Sequence, residues 1–391
     1  MGIRRLFYVG SMQPPEDCAG NPWGSEALNV TQLTLMQAFS SCGVEEVIGL
    51  SFPGSSAWHS TRRFKRSKRS VMGPGIEIRE LPFLALGPLQ PISQAVSFAW
   101  HLARLLRQSK PDVILISNPI TRFSLPALLA SRLWDIPVVI IASDLTPVID
   151  GQSPVRRVRQ RLQQQMARSA PGVVVFSSHL GRELRVRRPW LRMVRPPASD
   201  LLALPESAPD PQTRIIYYAG TMAEVAGADL FLQAITYLPN PEYRFWFSGR
   251  GPLDDAIREA ARGDTRITHW GFVSREHYRE LLQKANILVN PRPSRLPENR
   301  YNFPSKLMEY MAAGRPIIST ATSDVAEHYG DAVVLLEDET PEGLARCIEE
   351  VFKRPPEALA ALSRRARDYA LQETWEAQAR RILDFAKGLR R

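Results

Sequence analysis

Short apolar runs alternate with helical stretches along nearly the whole chain, and few architectures accommodate that alternation. Before residue 196 the runs are Leu6–Val9, Val113–Ile116, Val138–Ile141 and Val173–Phe176. After residue 212 they are Ile215–Ala219, Tyr243–Phe247, Ile287–Asn290, Ile317–Ser319 and Ala332–Leu336. Continuous Val, Ile, Phe and Tyr at this length suit strands buried on both faces of a parallel sheet. The windows Ser25–Cys42, Gln94–Gln108, Leu253–Ala261, Arg275–Lys284 and Pro341–Phe352 read as helices between them. Strand–helix alternation implies a parallel sheet covered by helices on both faces.

The alternation is interrupted once. Residues 196–212 read PPASDLLALPESAPDPQ, proline-rich and without period, and suit an interdomain linker. At roughly 150 residues per domain, 391 residues also suggest two units. The expected organisation is a Rossmann-like domain over 1–200, a second over 201–372, and a helix in 373–391 that packs back on the first. Two such α/β domains facing each other enclose a cleft, and ligands of these sheets bind beyond the carboxyl ends of the strands.

Charge divides the chain as well. Residues 1–196 carry 25 Lys and Arg against 12 Asp and Glu, and the remainder carries 25 against 28. The basic half points to an anionic partner: a membrane surface, a phosphorylated acceptor or nucleic acid. Its densest run is Arg62–Arg69, with six cations in RRFKRSKR, read as a solvated loop able to meet anionic lipid. The stretch Arg156–Arg168 reads as a solvent-facing helix, and Trp100 as a core residue. No nucleic-acid module accompanies the arginines, so no nucleic acid is expected. Cys18, Cys42 and Cys347 are scattered and lack metal-ligand or disulfide spacing, which suits a reducing, cytoplasmic setting. The N-terminal apolar stretch is too short for a signal peptide.

The densest chemical signal is residues 290–316, NPRPSRLPENRYNFPSKLMEYMAAGRP. Pro304 fits a first helical turn, and Gly314 and Pro316 stop the helix. Free N–H groups at Ser305 and Lys306, with the helix dipole, make an anion site. Lys306 adds a full charge, and Arg292 lies just past the strand end. Glu309 follows Lys306 by three residues on the same face, where a carboxylate could accept from a ribose diol; an ordinary Lys–Glu surface pair has the same spacing. In the first half, the loop Gly20-Asn21 lets backbone approach a phosphate or sugar, and Asp144 follows a buried strand. Asp144 could take a hydroxyl or cap a helix.

The segment NFPSKLMEYMAAGRPI resembles the nucleotide-binding motif of glycosyltransferase family 4, of the two-domain GT-B fold. It is most similar to the bacterial capsule and exopolysaccharide branch. LLEDETPEGLA (335–345), YYAGTM (217–222), FWFSGRGP (245–252) and HWGFVSREHYRELLQKANILVNP (269–291) follow the same order of elements. CAGNPWGSEALNV (18–30) and VVIIASDLTP (138–147) sit where that family has its first glycine loop and an aspartate loop.

The resemblance implies retaining transfer of a sugar from a nucleoside diphosphate sugar to a glycan, lipid-linked or small-molecule acceptor, in surface polysaccharide or glycoconjugate synthesis. On it, Glu309 holds the ribose, Ser305 and Lys306 meet the diphosphate, and the Phe272–Val273 backbone meets the base. Three departures stand out. The motif's first glutamate falls at Tyr301. The Arg and Lys of the first strand–helix turn are Thr221 and Ala226, so charge must come from Lys306 with Arg292 or Arg250. The histidine that often precedes the aspartate is Ser143. These departures also fit a non-catalytic relative or an epimerase. Neither a cofactor nor a metal is expected to be required. The expected setting is the cytoplasm, peripheral on the inner face of the cell membrane through the basic first half.

Overall fold

The alternating segments form two separate parallel sheets. A computed structural model describes residues 2–14, 26–52, 64–85, 87–143, 153–184, 189–206, 210 and 212–389. The chain divides into two compact units, Met1–Met193 with Trp375–Arg391, and Val194–Thr374.

The first unit's eight-stranded sheet runs Trp190–Arg192, Gly172–Val175, Val138–Ala142, Val113–Ser117, Arg5–Val9, Glu46–Ser51, Ile76–Glu80, Lys68–Gly73 across its width. Every pairing is parallel except the last. Val113–Ser117 and Val138–Ala142 are buried at all five positions, which is why they read as unbroken apolar runs.

The helices Gln90–Gln108, Thr121–Trp134 and Pro154–Ser169 lie side by side over one face. The other face is covered by Glu26–Ser41 and Trp375–Gly388. The last helix contributes Ala379, Ile382, Leu383 and Ala386 to the same core cluster as Leu6, Tyr8 and Val139. A side chain at Gly172 would meet Phe385 and Leu389, so the strand's glycine is what admits this helix.

Two readings of the first unit are corrected. The described part of the run Arg62–Arg69 is not all loop: Phe64–Lys65 and Lys68–Gly73 are strands, and the second is the antiparallel edge. Arg69 there is paired with the buried carboxylate of Glu77. Basic residues on an edge strand also hinder edge-to-edge aggregation. Trp100 is not in the core; it is 57% exposed.

The second unit's sheet is wholly parallel, in the order Ile267–Gly271, Tyr243–Arg250, Arg214–Thr221, Ile287–Asn290, Ile317–Thr320, Val334–Leu336. Along the chain these are strands three, two, one, four, five and six, the doubly wound dinucleotide-fold order. Adjacent residues of its first strand face opposite sides: Tyr217 belongs to one core cluster and Tyr218 to the other. The proline-rich stretch is partly structured. Ser199–Leu202 is a short helix, and Leu201 and Leu204 are buried in the second unit's core.

Candidate active site

In the second sheet the chain order reverses between Arg214–Thr221 and Ile287–Asn290. That reversal opens a crevice beyond their carboxyl ends. Two glycines shape it. Gly249 has φ +136, and a Cβ there would stand 1.8 Å from the Gly220 carbonyl oxygen. Gly227 has φ +79, and its missing Cβ leaves room for the carbonyl of Pro291, which would otherwise be 2.0 Å away. The first strand–helix turn therefore rests directly on the Pro291–Arg292 backbone.

The helix Ser305–Ala313 starts at this edge. Pro304 is its N-cap, with ψ 101, and not part of the first turn as the sequence suggests. No side chain caps the helix and no acid occupies its first turn, so the dipole at Ser305 and Lys306 is not offset there. Gly314, at φ 63, closes it in the left-handed conformation. Tyr310, fully buried, accepts from the Ala219 N–H at 2.8 Å and donates to the Ala219 carbonyl at 3.0 Å. Those two bonds tie the helix to the first strand.

Lys306 Nζ donates to Glu309 Oε2 at 2.8 Å, and both side chains are half-buried. Lys306 Nζ also lies 4.5 Å from the centre of the Tyr278 ring. Burial, and after it the Glu309 carboxylate, pushes the Tyr278 phenol well above its ordinary pKa. Tyr278 thus stays neutral and serves as an aromatic floor beneath the cation. Ser305 is half-buried in the first turn.

Arg292 stands near Tyr218, and Glu309, Lys306's partner, stands near Tyr217, the next residue of the same strand. Arg292 Nη2 donates to Asn299 Oδ1 at 2.6 Å. Asn299, fully buried, donates in turn to the carbonyls of Val225 and Pro293, both at 2.9 Å. Arg292 Nε is buried and has no hydrogen-bond partner among the described residues. Burial lowers the guanidinium's pKa, and among the described residues only Tyr218 acts to raise it. Partial burial of a cation is costly, and an anionic ligand would relieve that cost.

Arg250 ends its strand in register with Thr221, its guanidinium 4.1 Å from the centre of the Phe272 ring. Phe272 is 73% exposed, and Val273 packs against the core beside Tyr278. Gly20, Asn21 and Asp144 lie outside the described residues. Next to Asp144, the Ser143 N–H and hydroxyl both donate to Asn118 Oδ1 at 3.0 Å.

Asn299 and Tyr278 were not marked by the sequence. A buried amide within PENRY carries no spacing signal, and Tyr278 shares a face with Leu281 and Leu282, a spacing that reads as core and not as a ligand site; only the fold reveals their partners. Among the described residues no group of three or more His, Cys, Asp or Glu could hold a metal ion. A cavity of about 690 Å³ lies at the opposite, amino end of the sheet, lined by Thr213, Asn286 and Pro316, and is not lined by Arg292, Lys306, Glu309 or Arg250.

Two family profiles match the chain. One, described as glycosyl transferase 4-like domain, covers residues 28–197; the other, glycosyl transferases group 1, covers residues 213–354. The chain belongs to the family 4-type glycosyltransferases. No curated protein matches it in sequence.

The glycosyltransferase shares its GT-B fold with solved structures of low sequence identity. Sucrose-phosphate synthase from Thermosynechococcus elongatus is 16% identical, with a TM-score of 0.68 over 99% of each chain. Anabaena HepE in complex with UDP is 13% identical, with a TM-score of 0.67 over 98% of this chain and 100% of the other. An E. coli trehalose-6-phosphate structure bound with UDP-2-fluoroglucose is 10% identical, with a TM-score of 0.69 over 98% and 99%.

Proposed function

We propose that this glycosyltransferase moves a sugar from a nucleoside diphosphate sugar to an acceptor hydroxyl with retention at the anomeric carbon. The acceptor is a glycan, a lipid-linked sugar or a small molecule of surface polysaccharide or glycoconjugate synthesis. The observation that carries this reading is the half-buried guanidinium of Arg292 at the crevice of the second sheet, whose Nε is buried without a hydrogen-bond partner among the described residues. Fixed cations there meet the charge that grows on a departing diphosphate, and stabilisation of that kind is usually the largest catalytic contribution.

The roles follow from position. Arg292 is held through Asn299 against the turn that contains Thr221 and Ala226, the turn that carries Arg and Lys in similar enzymes. It restores positive charge on that side, while Lys306 and the N–H groups of Ser305 and Lys306 act from their helix start. Glu309 accepts from the ribose diol. The Phe272–Val273 backbone meets the base, with Arg250 stacked beside it. Asp144 and the Gly20-Asn21 loop receive the sugar and acceptor.

In the reaction the bond from the anomeric carbon to the diphosphate oxygen breaks. The acceptor oxygen bonds to the same face, and its proton passes to the departing phosphate. No protein base and no divalent metal is required on this scheme, because Arg292 and Lys306 supply the charge.

Thermal shifts with UDP, GDP, ADP and TDP test the donor: a ligand at 100 times its Kd stabilises by about 2.7 kcal/mol. Release of the selected nucleotide from its labelled sugars then tests transfer. A shift with no turnover on any sugar and acceptor would favour the non-catalytic relative that the changes at Thr221, Ala226 and Tyr301 also fit.

A further inference from the structure

Each of the three helices over one face of the first sheet carries an apolar stripe on its outer side, and Gln90–Gln108 and Thr121–Trp134 carry a second, inner one, where a helix covering a sheet needs only the inner. In Gln90–Gln108 the inner stripe is Phe98, Leu102 and Leu106, all buried; on the outer side Ile92, Val96 and Trp100 are 61%, 65% and 57% exposed. In Thr121–Trp134, Phe123 and Ala127 face inward, and Leu125, Leu129 and Leu133 are 47%, 52% and 76% exposed. In Pro154–Ser169 the outer stripe is Val155, Val158 and Leu162. Spacings of three and four residues put each outer set in line. The helices are neighbours, so the stripes form one apolar layer. Scattered exposed apolar residues are ordinary, but a contiguous layer marks an interaction surface.

The charges on these helices select the partner. Together they hold nine arginines and no Asp or Glu. Arg104 lies 5.5 Å from the centre of the Trp100 ring, on the outer face. An apolar layer whose helices carry cations and no carboxylate, with Asp135 at the end of the middle one, complements an apolar phase behind an anionic surface. Nucleic acid offers the charge without the apolar phase. No helix among the described residues is long and apolar enough to cross a membrane, so the attachment would lie along the surface. Read alone, Arg156–Arg168 is too polar to insert; beside its two neighbours it supplies the charged margin of a shared face. The run Arg62–Arg69, whose Arg69 pairs with Glu77, is not on these helices.

We infer that the outer face of these three helices docks the enzyme on an anionic phospholipid bilayer, Trp100, Leu129 and Val158 entering the interface and the arginines contacting the headgroups. Docking would bring the first unit to a lipid-borne acceptor. That link to the acceptor rests on the transferase reading above; the docking itself does not.

The full chain is sedimented with vesicles of phosphatidylcholine alone or with about 30% phosphatidylglycerol, without nucleotide. Two variants are compared. One combines V96S, L129S and V158S; the other combines R156Q, R157Q, R159Q and R161Q. All seven positions are exposed and outside the donor site. The wild type should bind the anionic vesicles and be released as salt rises from about 50 mM to about 500 mM. The first variant should bind at least about tenfold less with an unchanged melting temperature, and the second should lose its preference for anionic lipid. Trp100 emission, taken as the difference from W100F, should shift to the blue on anionic vesicles. Absence of wild-type binding, or equal binding by the first variant, overturns the proposal. So does a wild-type dimer that the serine substitutions dissociate, which would make a second copy the occupant. Turnover with a soluble acceptor is measured in parallel, so failed docking and failed transfer are read separately.

Discussion

Arg292 shows how a single side chain can be legible in sequence for its charge and illegible for its surroundings. Its place after an apolar strand marks it as a cation at a ligand edge. Its partial burial and its clamp by Asn299 depend on residues that carry no pattern. The fork of the guanidinium, one nitrogen held by Asn299, suits oriented donation to phosphate oxygens, which lysine cannot reproduce. Arg292→Lys should therefore cost nearly as much as Arg292→Ala, about 100-fold in kcat/KM at saturating acceptor. A near-wild-type Lys variant would show that charge alone suffices. Lys306 is half exposed, so Lys306→Ala should lower turnover by a similar factor while leaving the melting temperature within a degree or two. Gly249→Ala is the contrasting case: the strained φ and the Gly220 carbonyl leave no room, and loss of fold should precede loss of chemistry.

At the scale of elements, the sequence revealed buried parallel strands because both faces are covered and the apolar runs are continuous. It concealed Lys68–Gly73, whose cations and glycine belong to an exposed edge, and Trp190–Arg192, which is short and half-buried throughout. It also concealed Thr121–Trp134, where Pro126 inside the helix and apolar residues on two faces hide the usual period.

The proline-rich stretch misled in another way, since its short helix is anchored by a charge pair. Asp200 accepts from Arg275 Nε at 2.6 Å and from Nη2. The hydrogen bonds from Arg275 hold the Asp200 carboxyl below its usual value. A depressed carboxylate stabilises the fold above its unfolded pKa and ceases to as pH falls through the folded one. Asp200→Asn should then cost about 0.5–1 kcal/mol at pH 7, discounted for the exposure of Arg275, and nothing in strong acid. Urea titrations of both proteins at several pH values would show it; a constant gap across pH would not fit.

For the whole molecule, the division into units does not follow chain order, because Trp375–Gly388 completes the first unit. Ile382 is fully buried there, so Ile382→Ala should cost about 2–5 kcal/mol, felt in the first unit's transition. A nucleotide bound to the second unit should raise the other transition and leave this one in place. Differential scanning with and without the selected nucleotide separates the two.

The closing helix also imposes a schedule on biosynthesis. A nascent chain acquires domains from its amino end as the ribosome releases it. Here residues 375–388 appear only after the whole second unit has been made, so the first sheet must wait with the face beneath that helix uncovered. The second unit can mature first. A chain stalled after residue 374 should show a protease-resistant second unit attached to a digestible first, and release of the remaining residues should protect both.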